Sequence, residues 1–182
     1  FEECKGKTVL VTGASSGIGA AVALAFGKLG ANIGVHYNSN QDAAEAIATE
    51  IRASGSRAYV VQADVSDVEA VESMVENVVT EFGSIDILIN NAGAMLERTT
   101  LVEASAEHFH RVMDLNFTSV YAACHAVIPI MREQGGGNII NVTSIAARTG
   151  GAAGAGIYAA SKAAVSTLTR NLAKEEAPNN IR

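Results

Sequence analysis

The sequence predicts an α/β fold: one doubly wound domain over residues 1–182, three layers deep (α/β/α), built on a parallel sheet. Short apolar runs alternate with segments of helical period from end to end. Each crossover helix returns the chain to the same edge direction, which demands parallel strands. Runs such as VLVT (9–12) and IDILIN (85–90) are apolar nearly throughout, the pattern of strands covered on both faces. At 182 residues the chain is long enough for one sizeable core.

Taken in order, KTVLVT (7–12) reads as the first strand, and Ile18, Val22, Phe26 and Leu29 follow at helical spacing. Gly30 supplies a stop before a second strand, ANIGVHY (31–37). Ala44, Ile47 and Ile51 mark a second helix, closed by Gly55 ahead of a strand over 57–63. Ser66 with Glu69 forms a capping-box signature, and Val68, Val71, Val75, Val78 and Phe82 then line one helical face. Gly83 ends that helix and IDILIN is the fourth strand. A helical region from Ser105 to Glu133 leads through three glycines to a fifth strand, 138–143, and a last helix is expected from Tyr158 to Ala177. The low-complexity stretch GGAAGAG (150–156) reads as a mobile loop.

Hydrophobic residues make up 48% and charged residues 18% of the chain, ordinary proportions for a globular protein. A net charge of −6 without a Lys/Arg cluster argues against a nucleic-acid surface. No stretch approaches the run of about 20 apolar residues a membrane helix needs, because His125 and Pro129 break the best candidate. Cys4 and Cys124 are too few and too far apart for a disulfide framework. The cytoplasm is therefore the expected compartment.

TGASSGIG (12–19) lies between the first strand and the first helix. Glycines let the backbone approach a diphosphate, and the helix N-terminus that follows favours negative charge. Gly13, Gly17 and Gly19 do not have the G-x-G-x-x-G spacing of the usual dinucleotide fingerprint. A tight turn without a ligand is the plainer reading of the same letters. Gly13-Ala14-Ser15-Ser16-Gly17 also satisfies G-x-S-x-G, the nucleophile elbow of serine hydrolases, with His108, His110 and His125 as candidate partners. That alternative puts the elbow after the first strand, too early for an oxyanion loop, and leaves YAASK unexplained.

YAASK (158–162) places a phenol and an ammonium four residues apart, one above the other on a helix. They form either a surface pair or a tuned acid. A phenol ordinarily ionises near pH ~10, and a neighbouring ammonium favours the phenolate. Tyr158 as general acid/base with Lys162 as its electrostatic partner is the chemical reading.

TGASSGIG, Asp64 after the third strand, NNAG (90–93), Asn116, Ser144 and Tyr158-x-x-x-Lys162 follow the order seen in the short-chain dehydrogenase/reductase family, which this chain resembles over essentially its whole length. Within it, the 3-oxoacyl-carrier-protein reductases are the most similar. The resemblance implies a Rossmann-type sheet binding NAD or NADP and hydride transfer between nicotinamide and a carbonyl or secondary alcohol. It implies Asn116, Ser144, Tyr158 and Lys162 as the catalytic set: Ser144 bonding the carbonyl oxygen, Asn116 holding a relay water, and Lys162 also touching the nicotinamide ribose. It implies cofactor contacts from Gly13, Ser15, Ser16, Gly17, Ile18 and Gly19, from Asp64 and Val65, and from Asn91, Ala92 and Gly93. The Ser144–Tyr158 spacing is one residue longer than is usual in the family.

An NAD enzyme places a carboxylate at the end of the second strand, against the ribose 2′-hydroxyl. Tyr37, followed by Asn38, Ser39 and Asn40, stands there instead, so NADP(H) is favoured and NAD(H) is the alternative. An NAD-dependent alcohol or sugar dehydrogenase is thus the second reading, and a non-catalytic nucleotide-binding module the third. The substrate expected is a small carbonyl or alcohol, carrier-bound in the reductase reading.

Plainer readings exist for several of these residues. Asn90 and Asn91 suit a strand-end turn, Asp64 a strand end, and Asn116 a helix kink. His125 and Cys124 read as interior helix residues, and no Cys/His spacing suggests a metal. Apolar positions spread widely around the last two long helices (Val112, Leu115, Val120, Cys124, Val127, Ile128 and Met131; Val165, Leu168 and Leu172), which predicts a homo-oligomer. The family resemblance makes it a tetramer. Ile181 and Arg182 look like the first residues of a sixth strand, so the chain is expected to be part of a longer one, cut after its fifth strand.

Overall fold

The structure, a computed structural model, describes residues 2–182. Five parallel strands, β1 (Thr8–Val11), β2 (Asn32–Tyr37), β3 (Ala58–Gln62), β4 (Ile87–Asn90) and β5 (Asn138–Asn141), form one sheet in the order β3-β2-β1-β4-β5. The chain winds outward from β1 through β2 to β3, then crosses back and continues from β4 to β5. The strand order therefore reverses between β1 and β4, where Val11 pairs with Ile89. In open α/β sheets this reversal point opens a crevice beyond the carboxyl ends of the strands.

Period-two alternation splits β1 between two cores. Val9 and Val11 join Ile33, Val35, Ala48 and Ile51 beneath α1 (Gly17–Lys28) and α2 (Gln41–Ala53). Leu10 faces the other way, joining Met74, Val75 and Val78 of α3 (Val68–Phe82) and Leu88 of β4. That second core is completed by α5 (Ser119–Glu133) and α7 (Gly156–Glu176), which contribute Val127, Met131 and Val165. Between β4 and β5 the chain forms α4 (Ala106–Met113) and a π-helical turn, Asp114–Thr118, before α5. A short α6 (Ala146–Thr149) precedes α7.

Five expectations change. The helix after β3 is capped by Asp67, which accepts from the backbone amides of Glu69 and Ala70. Ser66 is drawn away because its hydroxyl and amide donate to Asp64 (2.7 and 3.0 Å). The helical region expected up to Glu133 runs unbroken from Ala106 through the π turn, but the last helix starts at Gly156, two residues before Tyr158. GGAAGAG is anchored, with Thr99 donating its amide to the Gly154 carbonyl at 3.1 Å. His125 is exposed and stacks on Tyr121, one step round the helix from the buried Cys124, whose thiol burial pushes up to about 12.

The fifth concerns the apolar spread on the long helices. Val112, Val120, Val127, Ile128, Met131 and Val165 are all buried within this chain, where α5 packs on α3 and α7 packs on α4 and the π turn. Those six positions are covered within the chain, while Leu115, Leu168 and Leu172 of the same spread stay half-buried. Beyond α7, the amide of Arg182 donates to the Gly137 carbonyl and that of Ile139 to the Arg182 carbonyl (3.0 and 2.7 Å), the start of a sixth parallel pairing beside β5.

Candidate active site

A cleft of about 620 Å³ opens at the carboxyl ends of β1, β2 and β4, at the strand-order reversal. Its floor is the loop from Thr12 into α1. Thr12 Oγ1 accepts from the amides of Asn91 and Ala92 (both 3.0 Å), and the Asn91 side-chain amide donates to the carbonyls of Thr12 and Gly13 (2.9 and 3.3 Å). Asn91 thus serves strand-end chemistry by clamping the glycine loop to β4.

Gly19 closes the loop from the helix side. A Cβ there would lie 2.2 Å from the Gly13 carbonyl oxygen and 2.5 Å from Asn91 Nδ2, so the first turn of α1 approaches the loop more closely than any side chain allows. Ser16, the N-cap residue, makes no side-chain cap bond, and the first turn of α1 carries no acidic residue. The first amides of α1 are therefore left for an anionic ligand. Ser15, Ser16 and Ile18 line the cleft beside them.

The opposite wall is α7. Tyr158 and Lys162 both line the cleft, on successive turns. Lys162 is 3% exposed, its Nζ donates to the Val142 carbonyl at 3.1 Å, and burial lowers the pKa of its ammonium. Asn116 lies behind it in the π turn and is fully buried. Its Nδ2 donates to the carbonyls of Ala94 (2.7 Å) and Val112 (2.9 Å), while its Oδ1 has no hydrogen-bond partner. The bond to Val112, together with that from Ser119 Oγ to the Leu115 carbonyl (2.7 Å), occupies carbonyls near the turn with side chains. Such back-bonding loosens the helical ladder.

A Cβ on Gly93 would lie 2.7 Å from Asn116 Oδ1 and 3.0 Å from Lys162 Nζ. The glycine is what leaves room for these two groups to converge. A buried, unpaired carbonyl oxygen beside a buried ammonium is costly unless something bridges them, which fits the relay water that the family resemblance implies.

Ser144 is half-buried just past β5, and its Oγ accepts from the Ala146 amide at 3.1 Å, opening α6. The bond uses an acceptor lone pair and leaves the hydroxyl proton to donate. Val142 and Thr143, rather than Ser144, line the cleft at this strand end.

The remaining expected contacts divide. Gly13, Asn38, Ser39, Val65, Asn91, Ala92 and Gly93 all border the cleft. Tyr37 is half-buried and packs against the core under α1 and α2, and does not border the cleft. Asp64 folds onto Ser66, which holds its carboxyl below the usual carboxylate range. Gly17, at φ +56°, and Gly19 do not border the cleft; Gly19 shapes the loop by its close approach to Gly13.

Asn40, at the end of the Asn38–Asn40 segment, lines the cleft and caps α2 by accepting from the Ala43 amide; the residue that sequence reasoning passed over is His36. The signal for His36 is a polar ring in the middle of a strand otherwise buried and apolar. Such a group must be bonded inside, and one of its two partners, Gly13, borders the cleft. Among the described residues no group of acidic, His or Cys side chains could hold a metal.

The elbow alternative finds no support. Among the described residues, positive φ outside glycine falls only at Leu96 and Asn180, so Ser15 lacks the strained geometry of an elbow serine. His108, His110 and His125 do not border its cleft.

The reversal-point cleft, glycine loop and uncapped helix start define a dinucleotide-binding domain of the Rossmann type. The chain belongs to the short chain dehydrogenase family, whose model matches residues 7–182. It is 39% identical over 175 residues to the 3-oxoacyl-[acyl-carrier-protein] reductase FabG of Staphylococcus epidermidis, a match covering 96% of this chain and 71% of that protein. An uncharacterized oxidoreductase of Methylorubrum extorquens is 39% identical over 182 residues, covering 100% of this chain and 72% of its own length. Among solved structures, NADH-dependent reductase A1-R′, responsible for alginate metabolism, superposes with a TM-score of 0.96 at 36% identity, covering 100% of this chain and 76% of that one. Its complex with NAD gives 0.95 at 35% identity. Family and relatives make this chain an NAD(P)-dependent oxidoreductase.

Proposed function

We propose that the chain transfers hydride between NADP(H) and a carbonyl or secondary alcohol, with Tyr158 as general acid/base. The observation that carries this reading is the convergence of Tyr158, Lys162 and the glycine loop on one cleft, with the unpaired Asn116 Oδ1 behind Lys162. Reduced nicotinamide, when bound, supplies the hydride. Its diphosphate fits the amides at the start of α1, and its adenosine end fits the side lined by Asn38, Ser39 and Val65.

Hydride addition leaves negative charge on the substrate oxygen, and the Tyr158 hydroxyl supplies the proton. Ser144 Oγ donates to the same oxygen. Lys162 favours the phenolate left behind. A water held by Asn116 Oδ1 passes the replacement proton inward. A 3-oxoacyl thioester is the favoured substrate on the similarity to FabG, with a sugar or simple alcohol as the second choice on the similarity to A1-R′. Turnover of such a panel, followed by the absorbance of the reduced cofactor, tests the class.

The cofactor choice rests on the end of β2. Asn38, Ser39 and Asn40 border the cleft there and none carries a carboxylate, so nothing repels a 2′-phosphate. We expect kcat/KM with NADPH to exceed that with NADH by at least about tenfold, which needs only about 1.4 kcal/mol of differential binding. A ratio below one would move the chain to the NAD-dependent reading that A1-R′ exemplifies.

A cytoplasmic homotetramer completes the proposal. Leu101 and Val102 are almost wholly exposed, and Phe109 and Tyr121 are half-exposed. These apolar surfaces, not the buried helix residues, are what association would cover. Sedimentation at micromolar concentration is expected to show a tetramer, and a stable monomer would exclude it. No described helix is long and apolar enough to cross a membrane.

A further inference from the structure

His36 is 1% exposed in β2, and both of its ring nitrogens are engaged. The Gly13 amide donates to Nδ1 at 2.8 Å, and Nε2 lies 3.0 Å from the Ala63 carbonyl. A backbone amide only donates and a carbonyl only accepts, so the ring is the neutral tautomer with its proton on Nε2. The carbonyl of His36 itself accepts from the Ala14 amide at 2.7 Å. Two successive amides of the glycine loop thus end on this one residue. The ring bridges them to the end of β3, just before Val65 enters the cleft. Asn91 holds the loop from the β4 side, and His36 is its counterpart on the β2–β3 side.

An imidazolium would point a second N–H at the Gly13 N–H across 2.8 Å. The bond would be lost and the two donors would repel. Gly13 sits at φ +66° with little slack, since a Cβ there would lie 3.1 Å from Asn91 Nδ2.

We propose that His36 is a positioning residue for the dinucleotide: neutral, it fixes the glycine loop in the shape that receives the diphosphate, and its protonation releases the loop and weakens cofactor binding. This rests on the reading of the cleft as the cofactor site.

The charge environment agrees. Burial lowers the ring's pKa from the ordinary histidine value, outweighing the bond to Ala63 and the attraction of Asp64, both of which favour the proton. Asp64 is the charged group at the end of β3. The cap of α3 adds Asp67, whose carboxylate is committed to two amides. The glycine loop and the Asn38–Asn40 segment bring no ionisable side chain, and Lys162 and Tyr158 stand across the cleft. Because the folded ring binds its proton less readily than the unfolded one, its contribution is fully present above about pH 6.5 and is lost as pH falls through the lower folded value.

The test compares the intact chain with His36→Asn and His36→Leu. The asparagine Oδ1 replaces Nδ1 as an acceptor for Gly13 but does not titrate, and leucine offers no acceptor. Two readouts are taken from about pH 8 to about pH 5, the range that spans histidine titration. They are the Kd for NADPH and NADH, from fluorescence, and the hydrogen exchange of the Gly13 amide in the ligand-free protein.

The wild-type Kd is expected to be flat above about pH 6.5, then to rise by up to about tenfold per unit, the limit for one linked proton. His36→Asn should bind within a few-fold of wild type at pH 8 without that acid limb. His36→Leu should bind weakly throughout and leave the Gly13 amide unprotected. An acid limb equal in wild type and His36→Asn, or a Gly13 amide equally protected in all three, overturns the inference. If neither cofactor binds at pH 8, the proposed function falls, and the exchange of Gly13 alone then decides whether His36 holds the loop.

Discussion

Tyr158→Phe is expected to lower kcat by about 10²–10⁴-fold, the usual contribution of a positioned proton donor, while the Kd for NADPH stays within a few-fold of wild type. The substitution deletes one hydroxyl and leaves the packing of α7 and the bond from Lys162 Nζ to Val142 in place. A loss confined to kcat, carried equally into kcat/KM, identifies an interaction made only in the transition state. Titration of reduced-cofactor fluorescence beside steady-state turnover separates the two parameters. A variant that keeps most of its kcat removes Tyr158 from the chemistry.

Gly19→Ala should produce the largest loss of cofactor binding. The added Cβ meets the Gly13 carbonyl at 2.2 Å and Asn91 Nδ2 at 2.5 Å. The carbonyl belongs to the loop backbone and the amide to its clamp, so neither yields without moving the loop. Overpacking of this kind costs about 1–3 kcal/mol. Because the strain falls on the loop that faces the diphosphate, we expect NADPH binding to weaken by about 10–100-fold, the equivalent of about 1.4–2.7 kcal/mol, with Tm lowered as well. Calorimetric binding and a thermal melt on the same sample check both. Wild-type affinity in this variant would mean that the glycine loop is not the cofactor's floor.

The strands and the helices that cover them were legible because their signals are local. Apolar runs bounded by glycine placed all five strands within two residues of their observed ends, and of the residues the family resemblance singled out, Asn91, Ala92, Gly93, Tyr158 and Lys162 border the cleft while Asp64 does not. The misreadings come from competition between neighbouring groups. Ser66 carried a capping signature, yet Asp64 took its hydroxyl and Asp67 took the cap. Asn116 read as a helix kink, and it sits in a π turn that leaves its Oδ1 buried and unpaired beside Lys162. Tyr37 occupies the strand-end position of the ribose-binding carboxylate, yet β2's alternation turns it against the core under α1 and α2. His36 was missed because its partners, Gly13 and Ala63, lie 23 and 27 residues away. The spread of apolar residues on α5 could not distinguish a partner chain from α3, because period alone does not say what covers a face.

The most direct measurement of the central claim is the fate of deuterium from NADPH labelled at its transferable position, offered with a panel of 3-oxoacyl thioesters and simple ketones. The mass of the alcohol product is read for wild type and Tyr158→Phe. At least one substrate is expected to gain a single deuterium at the carbinol carbon with wild type, and the variant, although it binds NADPH, to yield about 10²–10⁴-fold less labelled product in the same time. Bound NADPH with no labelled product from any substrate, or equal labelling by the variant, would contradict that claim.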